Sequence, residues 1–341
     1  MTTSRLATHG AGEGPIFGRE RELAQLYELV DKVQERGATL LVRGEAGIGK
    51  STLLAAACQR AEEAGMRMLR TTGVQSEAQL PFAGLHQLVL PILGQTDRLP
   101  TPQRAALLAA FGMVEAAEAP DRFLIALAVL ELLSEAAEHA PLLVVAEDAH
   151  WLDRSTADVL AFVARSVEHE RIVMLVSSRD GVEGSFDEAG RPEFRLGGLD
   201  DAAAESLLDA HGRQLAPAVR VQLREQTRGN PLALIELPVV LGTDELGGRL
   251  LLPSPLPLTA RLEQAFGTLV ASMPPRTKGL LLLSAVDHGG NLGEILAVAA
   301  VTDGEEQVIE VTEQAWHHDP DFAMNLLRRA AGKSWWVGRT E

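Results

Sequence analysis

Three glycines, a lysine and a serine stand at a spacing that can hold phosphate. Gly44-Glu45-Ala46-Gly47-Ile48-Gly49-Lys50-Ser51 follows the pattern G-x-x-x-x-G-K-[ST]. Glycines let the backbone curl so that successive N–H groups point inward at a polyphosphate. The helix that starts there adds its positive end. In such a loop Lys50 neutralises the β- and γ-phosphates, and the Ser51 hydroxyl ligates magnesium. The chain has only four lysines, so composition alone seldom yields this pattern. The context is the required one: Thr39–Val42 reads as a buried strand before the loop, and Leu53–Glu63 as an Ala-rich helix after it. Gly44, Glu45, Ala46, Gly47, Ile48, Gly49, Lys50, Ser51 and Thr52 are therefore the candidate contacts for ATP with magnesium. Gly332-Lys333-Ser334 repeats the last three letters, but Leu327 stands where the first glycine is needed, and it reads as coincidence.

A second pair of residues fits the same chemistry. Leu142–Ala146 is an unalternating apolar run, the mark of a strand buried on both faces, and it ends in Glu147 and Asp148. That places two carboxylates at the carboxyl edge of the sheet, beside the phosphate loop. One can hold the magnesium shell and the other can polarise an attacking water. Ser177-Ser178-Arg179 closes the next strand, where an arginine can reach a γ-phosphate or else pair with a surface acid. His150, two residues past the acids, reads as structural, and His317-His318-Asp319 as solvated surface, because adjacent histidines point apart. Cys58, the lone cysteine, reads as a buried thiol.

These groups need a scaffold, and the pattern of the chain supplies one. Apolar runs at 39–42, 66–70, 142–146, 172–176 and 194–196 alternate with helical patterns at 19–33, 53–63, 81–93, 121–137 and 155–167. Such alternation predicts a doubly wound parallel α/β sheet. Beyond residue 196 only helices are predicted, at 201–210, 218–228, 259–271 and 278–286. Pro100 and Pro102 read as punctuation in a connection, and 242–257 as a Gly- and Pro-rich linker. Residues 1–14 read as a disordered leader without a signal peptide's apolar core, and the greasy stretch 123–133 is too short to span a membrane. The net charge of −16 offers no basic stripe for nucleic acid, Arg328–Arg329 being an isolated pair. A cytoplasmic protein with no direct nucleic-acid contact is expected.

Taken together, Phe17-Gly18-Arg19-Glu20, the Gly44–Ser51 loop, Glu147-Asp148-Ala-His150-Trp151-Leu-Asp153 and Arg228-Gly229-Asn230-Pro231-Leu232-Ala233-Leu234 resemble the AAA-type ATPase module of the STAND class. Leu80-Pro81-Phe82-Ala83-Gly84-Leu85-His86 narrows the resemblance to the large ATP-binding regulators of the LuxR family. The resemblance spans roughly residues 15 to 290. It implies a P-loop NTPase domain at 15–196, a helical lid at 197–241, a linker at 242–258 and a partial winged-helix-like region at 259–341. It also implies that Gly18 and Arg19 sit near the adenine and that Pro231 presses on the nucleotide from the lid. Glu147 then takes the magnesium-side position and Asp148 activates water; family members often carry Asp at the first. The C-terminal helix-turn-helix and repeat-rich sensor of those regulators have no counterpart in this sequence, and the stretch from about Val301 on, with Trp335-Trp336, departs from their pattern.

Three functions follow from these residues. The first is a regulatory switch that holds ATP or ADP, hydrolyses slowly and works through a protein partner or self-association. The second is a stand-alone ATPase or kinase that drives work or phosphoryl transfer. The third is a binding module that never hydrolyses, against which the intact set Lys50, Ser51, Glu147 and Asp148 counts. No separate polar cluster offers a kinase substrate pocket, and the glycine-asparagine-proline motif favours the switch.

Overall fold

Runs of apolar residues without alternation become the sheet. In the computed structural model, which describes residues 15–115, 119–182, 184–187, 190–211, 215–241 and 246, five strands form. They are β1 (Ala38–Gly44), β2 (Arg67–Thr72), β3 (Leu142–Glu147), β4 (Ile172–Ser178) and β5 (Glu193–Leu196). All pairings are parallel and the order is β2-β3-β4-β1-β5. The period of two then sorts each strand between two cores. Leu143, Val145, Val173, Leu175, Leu40 and Val42 pack on one side with α1 (Glu20–Asp31) and α2 (Lys50–Glu63). Leu142, Val144, Ile172, Met174 and Val176 face the other side. There they meet α3 (Ala83–Val89), α4 (Thr101–Ala110), α5 (Arg122–His139) and α6 (Arg154–Ser166). This is the doubly wound α/β sheet expected from the sequence.

Two local expectations need correction. The stretch 101–110 is a helix, not a connection: a proline falls in its first turn, where the missing N–H costs nothing and the fixed φ suits helix entry. The helix expected over 81–93 ends at Val89 and continues as a 3₁₀ segment, Leu90–Arg98, with a proline in its first turn. Past β5 come α7 (Asp201–Ala210), α8 (Pro217–Thr227) and α9 (Pro231–Val240), the last within the stretch 197–241 expected as a helical lid but not read as a separate helix.

The residues form two compact units. One comprises those up to Ala210 together with Arg228–Pro231, and holds the sheet and α1–α7. Of the described residues, the other takes in 211, 215–227 and those from Leu232, and holds α8 and α9 after Pro231. The leader 1–14, the linker apart from residue 246, the winged-helix-like region 259–341 and the motifs within it lie outside the described residues. Among the described residues no helix is long and apolar enough to cross a membrane.

One buried carboxylate ties two of the family-like segments together. Asp153 is 3% exposed and caps α6 by accepting from the Thr156 N–H at 2.9 Å and the Thr156 hydroxyl at 2.5 Å. It also accepts from the backbone N–H groups of Phe82 at 2.8 Å and Gly84 at 3.3 Å, while Thr156 Oγ1 accepts from Leu85 N–H at 2.9 Å. Phe82 is held there at φ 63°, and Gly84 lies so close to α6 and the residues before it that an added Cβ would stand 3.1 Å from Thr156 Cγ2 and 2.7 Å from Leu152 Cδ2. Asp153→Ala strands buried donors and deletes a helix cap. It is expected to destabilise the first unit by about 2–4 kcal/mol. Urea unfolding followed by circular dichroism checks this; an unchanged midpoint would mean that these bonds do not hold the segment.

Candidate functional site

The phosphate loop joins β1 to α2 and takes its curvature from its glycines. Gly44, Gly47 and Gly49 have φ of 158°, 75° and 104°. The latter two angles belong to the left-handed region that side-chain-bearing residues avoid. Gly44 has a second constraint, since a Cβ there would sit 2.8 Å from Ile48 Cγ2 and 3.0 Å from the Leu196 carbonyl. Gly49 stands at the N-cap of α2, and no side chain caps that end. The first-turn N–H groups and the positive end of the helix dipole therefore face the loop.

Lys50 lies at the centre, 8% exposed, with Nζ donating to the carbonyls of Gly44 at 2.8 Å and Glu45 at 2.9 Å. Burial draws its ammonium down to about 8, Asp148 opposes that most strongly, and Arg179 reinforces it. Asp148 leaves β3 in a left-handed turn (φ 47°, ψ 47°), and its N–H donates to Ser177 Oγ at 3.1 Å. Its charge acts on both Lys50 and Arg179. Glu147 continues the β3 alternation of Leu143 and Val145, which face α2, and its charge reaches Arg70 and Cys58. The two acids thus face different neighbours. Ser51 is exposed at the start of α2, and Thr52 is partly buried behind it. Cys58 is buried and free, with burial raising its thiol.

A frame of backbone contacts surrounds the loop. Arg19, 6% exposed, donates to the carbonyls of Ile48 at 3.3 Å and Gly197 at 2.6 Å. Gly18, at φ 63°, leaves no room for a Cβ, which would lie 2.4 Å from Ala203 Cβ on α7. Gly229 presses on Leu199, where a Cβ would stand 2.2 Å from the carbonyl oxygen, and Leu199 N–H donates to Gly229 O at 2.9 Å. Asn230, 4% exposed, donates from Nδ2 to the Ala46 carbonyl of the loop at 2.9 Å. Pro231 follows as the first residue of α9.

Sequence reasoning singled out Lys50, Asp148 and Arg179, and the structure brings them within electrostatic reach of one another. It left three residues without a role at the site. Arg43, inside the apolar β1, is ion-paired to Asp187 and to Glu193 (3.0 Å) and donates to the Arg179 carbonyl at 3.4 Å and the Val182 carbonyl at 3.1 Å. It thereby holds the segment that carries Arg179; a charge at the end of a buried strand was the available signal. Asn230 was visible only as a letter of its motif. His150, read as structural, lacks what a structural histidine needs: neither ring nitrogen has a hydrogen-bond partner among the described residues. Burial, with Arg179 and Lys50 nearby, lowers its pKa to about 3, so the ring is neutral.

The donor set fits a magnesium nucleotide: a curled loop, an uncapped helix end, a buried ammonium, an exposed hydroxyl and two strand-end acids. Among the described residues no group of three or more His, Cys, Asp and Glu is placed to hold a metal ion.

Comparisons with known proteins agree. Residues 15–176 match an AAA ATPase domain. An uncharacterised protein of Rhizobium meliloti (strain 1021) is 26% identical over 55% of this chain and 21% of its own. The chain thus spans about a fifth of that relative's length. Among solved structures, a Walker-type ATPase of Pyrococcus abyssi is 17% identical with a TM-score of 0.53, over 91% of this chain and 96% of that one. The ORC2 protein of Aeropyrum pernix, in ADPNP–ADP complexes, is 14% identical with a TM-score of 0.51, over 94% and 95%. At these identities the likeness is one of fold, that of a P-loop NTPase. The domain match and the loop geometry together support an ATP-binding ATPase module.

The Lys50 pKa carries a pH signature. Below about pH 8 the ammonium is charged and ready for phosphate; above it, binding must bring a proton with it. The nucleotide dissociation constant is therefore expected to stay level below that point and then rise up to roughly tenfold per pH unit. Titration calorimetry in buffers of differing ionisation enthalpy would detect the proton uptake. Affinity that stays level well into the alkaline range would contradict it.

Proposed function

We propose that this chain is a nucleotide-dependent regulatory switch: it binds ATP with magnesium, hydrolyses it slowly, and signals which nucleotide it holds. The observation that carries the reading is the Asn230 bond to Ala46, which fastens the glycine-asparagine-proline motif to the phosphate loop itself. A motif tied to the loop can report a change there. The resemblance of the motif set to STAND-class ATPases and to LuxR-family regulators supports the regulatory role.

In this reading the loop N–H groups and Lys50 hold the polyphosphate, and Ser51 with Glu147 holds the magnesium shell. The metal, when bound, offsets the charge that builds on the phosphoryl oxygens. Asp148, the acid whose charge acts on both Lys50 and Arg179, takes the proton of the attacking water. Arg179, on the segment held by Arg43, contacts the γ-phosphate. Gly18 and Arg19 frame the adenine, and Pro231 contacts the nucleotide from the lid, residues 197–241. A protein partner or self-association reads the change, in the cytoplasm, without direct nucleic-acid contact by this chain. A stand-alone ATPase driving work is the competing function.

Lys50→Ala is expected to abolish ATP binding, and Asp148→Ala to keep binding while losing turnover by at least about a hundredfold. Equilibrium binding and single-turnover hydrolysis check both, alongside identification of nucleotide that co-purifies. Co-purified ADP and turnover below about one per minute, far under ordinary enzyme rates, fit the switch. Fast multiple turnover without a partner would instead favour the working ATPase, and tight ATP binding by Lys50→Ala would remove the site.

A further inference from the structure

We infer that the His150 imidazole is an additional recognition group for the terminal phosphate of a nucleoside triphosphate, donating a ring N–H to that phosphoryl group. The site would then distinguish triphosphate from diphosphate through a residue outside the phosphate-loop, strand-end-acid and arginine set. The inference deepens the proposed function and rests on its reading of the phosphate site.

The position of the ring is set by a tight turn. Asp148 enters the left-handed region, Trp151 N–H returns to the Asp148 carbonyl at 2.8 Å, and the Asp148 N–H is fixed on Ser177 Oγ. His150 rides on this turn with its ring 5.2 Å from that of Trp151, tilted by 45°. Both ring nitrogens are shielded from solvent, and neither meets a hydrogen-bond partner among the described residues. Buried polar atoms are seldom left unpaired, and each such case in a native fold asks for an explanation. The ring's charged neighbours indicate which one: the cations that act on it are Lys50 and Arg179, the two groups assigned to the γ-phosphate. A neutral imidazole always keeps one N–H to donate. An anion drawn to Lys50 and Arg179 is the partner that this donor lacks.

Two simpler explanations fit less well. A core histidine would be bonded to backbone or a carboxylate, and among the described residues this one is not. A histidine serving only to pack Trp151 has no need of two shielded, unpaired nitrogens within the field of Lys50.

The test uses the full chain with magnesium and compares equilibrium binding of ATPγS and ADP to wild type, His150→Ala, His150→Gln and Lys50→Ala. His150→Ala is expected to weaken ATPγS by about tenfold to a hundredfold, the usual effect of losing a hydrogen bond to a charged group. ADP affinity should stay within about twofold, since no terminal phosphate is there to lose. His150→Gln, which keeps an N–H donor, should recover part of the loss. Equal weakening of both nucleotides would assign the ring to packing and overturn the inference, and so would unchanged binding of both. Should His150→Ala not fold, His150→Phe keeps the ring volume without a nitrogen and carries the same comparison. Wild type binding neither nucleotide, or Lys50→Ala binding as tightly as wild type, would remove the phosphate site and this inference with it. Tight wild-type binding with level His150 variants removes the inference alone.

Discussion

Everything near the phosphate loop follows from one awkward charge. An ammonium that is 8% exposed, at the positive end of a helix and within the field of an arginine, is unfavourable to build. The fold offsets it with two loop carbonyls and with the charges of Asp148, Asp180 and Glu45, and burial still pulls the group down to about 8. What remains is a local excess of positive potential with inward N–H groups around it. An anion of several charges relieves that excess better than any single side chain, which is the physical sense in which the loop is a polyphosphate receptor.

The backbone around the site is strained as well. Phe82, Asp148 and Arg228 are the non-glycine residues with positive φ among those described, and each stands in a segment tied to the site. Phe82 is held by Asp153, Asp148 begins the turn that carries His150, and Arg228 opens the motif that reaches Ala46. A left-handed non-glycine residue costs of order 1–3 kcal/mol and persists where its surroundings over-determine it. Here those surroundings are buried carboxylate bonds and backbone packed on backbone, as at Gly198, where a Cβ would lie 1.9 Å from the Arg228 carbonyl.

The sheet was legible because parallel strands covered on both faces leave an unmistakable trace: runs such as Leu142–Ala146 with no polar break. The phosphate loop was legible because its geometry demands particular residues at particular spacings. Less could be read where chemistry depends on contacts distant in sequence. Nothing local says that Asp153 receives the N–H of Phe82, that Arg43 holds the segment after β4, or that Asn230 reaches Ala46. Helix α4 was obscured because Pro100 and Pro102 look like breaks until one asks which turn of a helix they occupy. The unpaired nitrogens of His150 were hidden for a related reason: a residue letter does not disclose whether its hydrogen bonds are made.

The strand order also bears on how the protein is made. β1 carries the phosphate loop, yet among the described residues it pairs with β4 and β5, both much later in the chain. During synthesis, residues 38–44 leave the ribosome and must wait for 172–178 before finding a neighbour. At ordinary elongation rates that is roughly 7–27 s. Meanwhile an apolar segment and a run of glycines stand without a sheet to join. Parallel pairing across so long an interval is slow and leaves sticky surface uncovered. The nucleotide loop, translated well before the strands that β1 pairs with, thus acquires its shape only after they emerge, and the nascent chain depends on early cover for a strand whose partners do not yet exist.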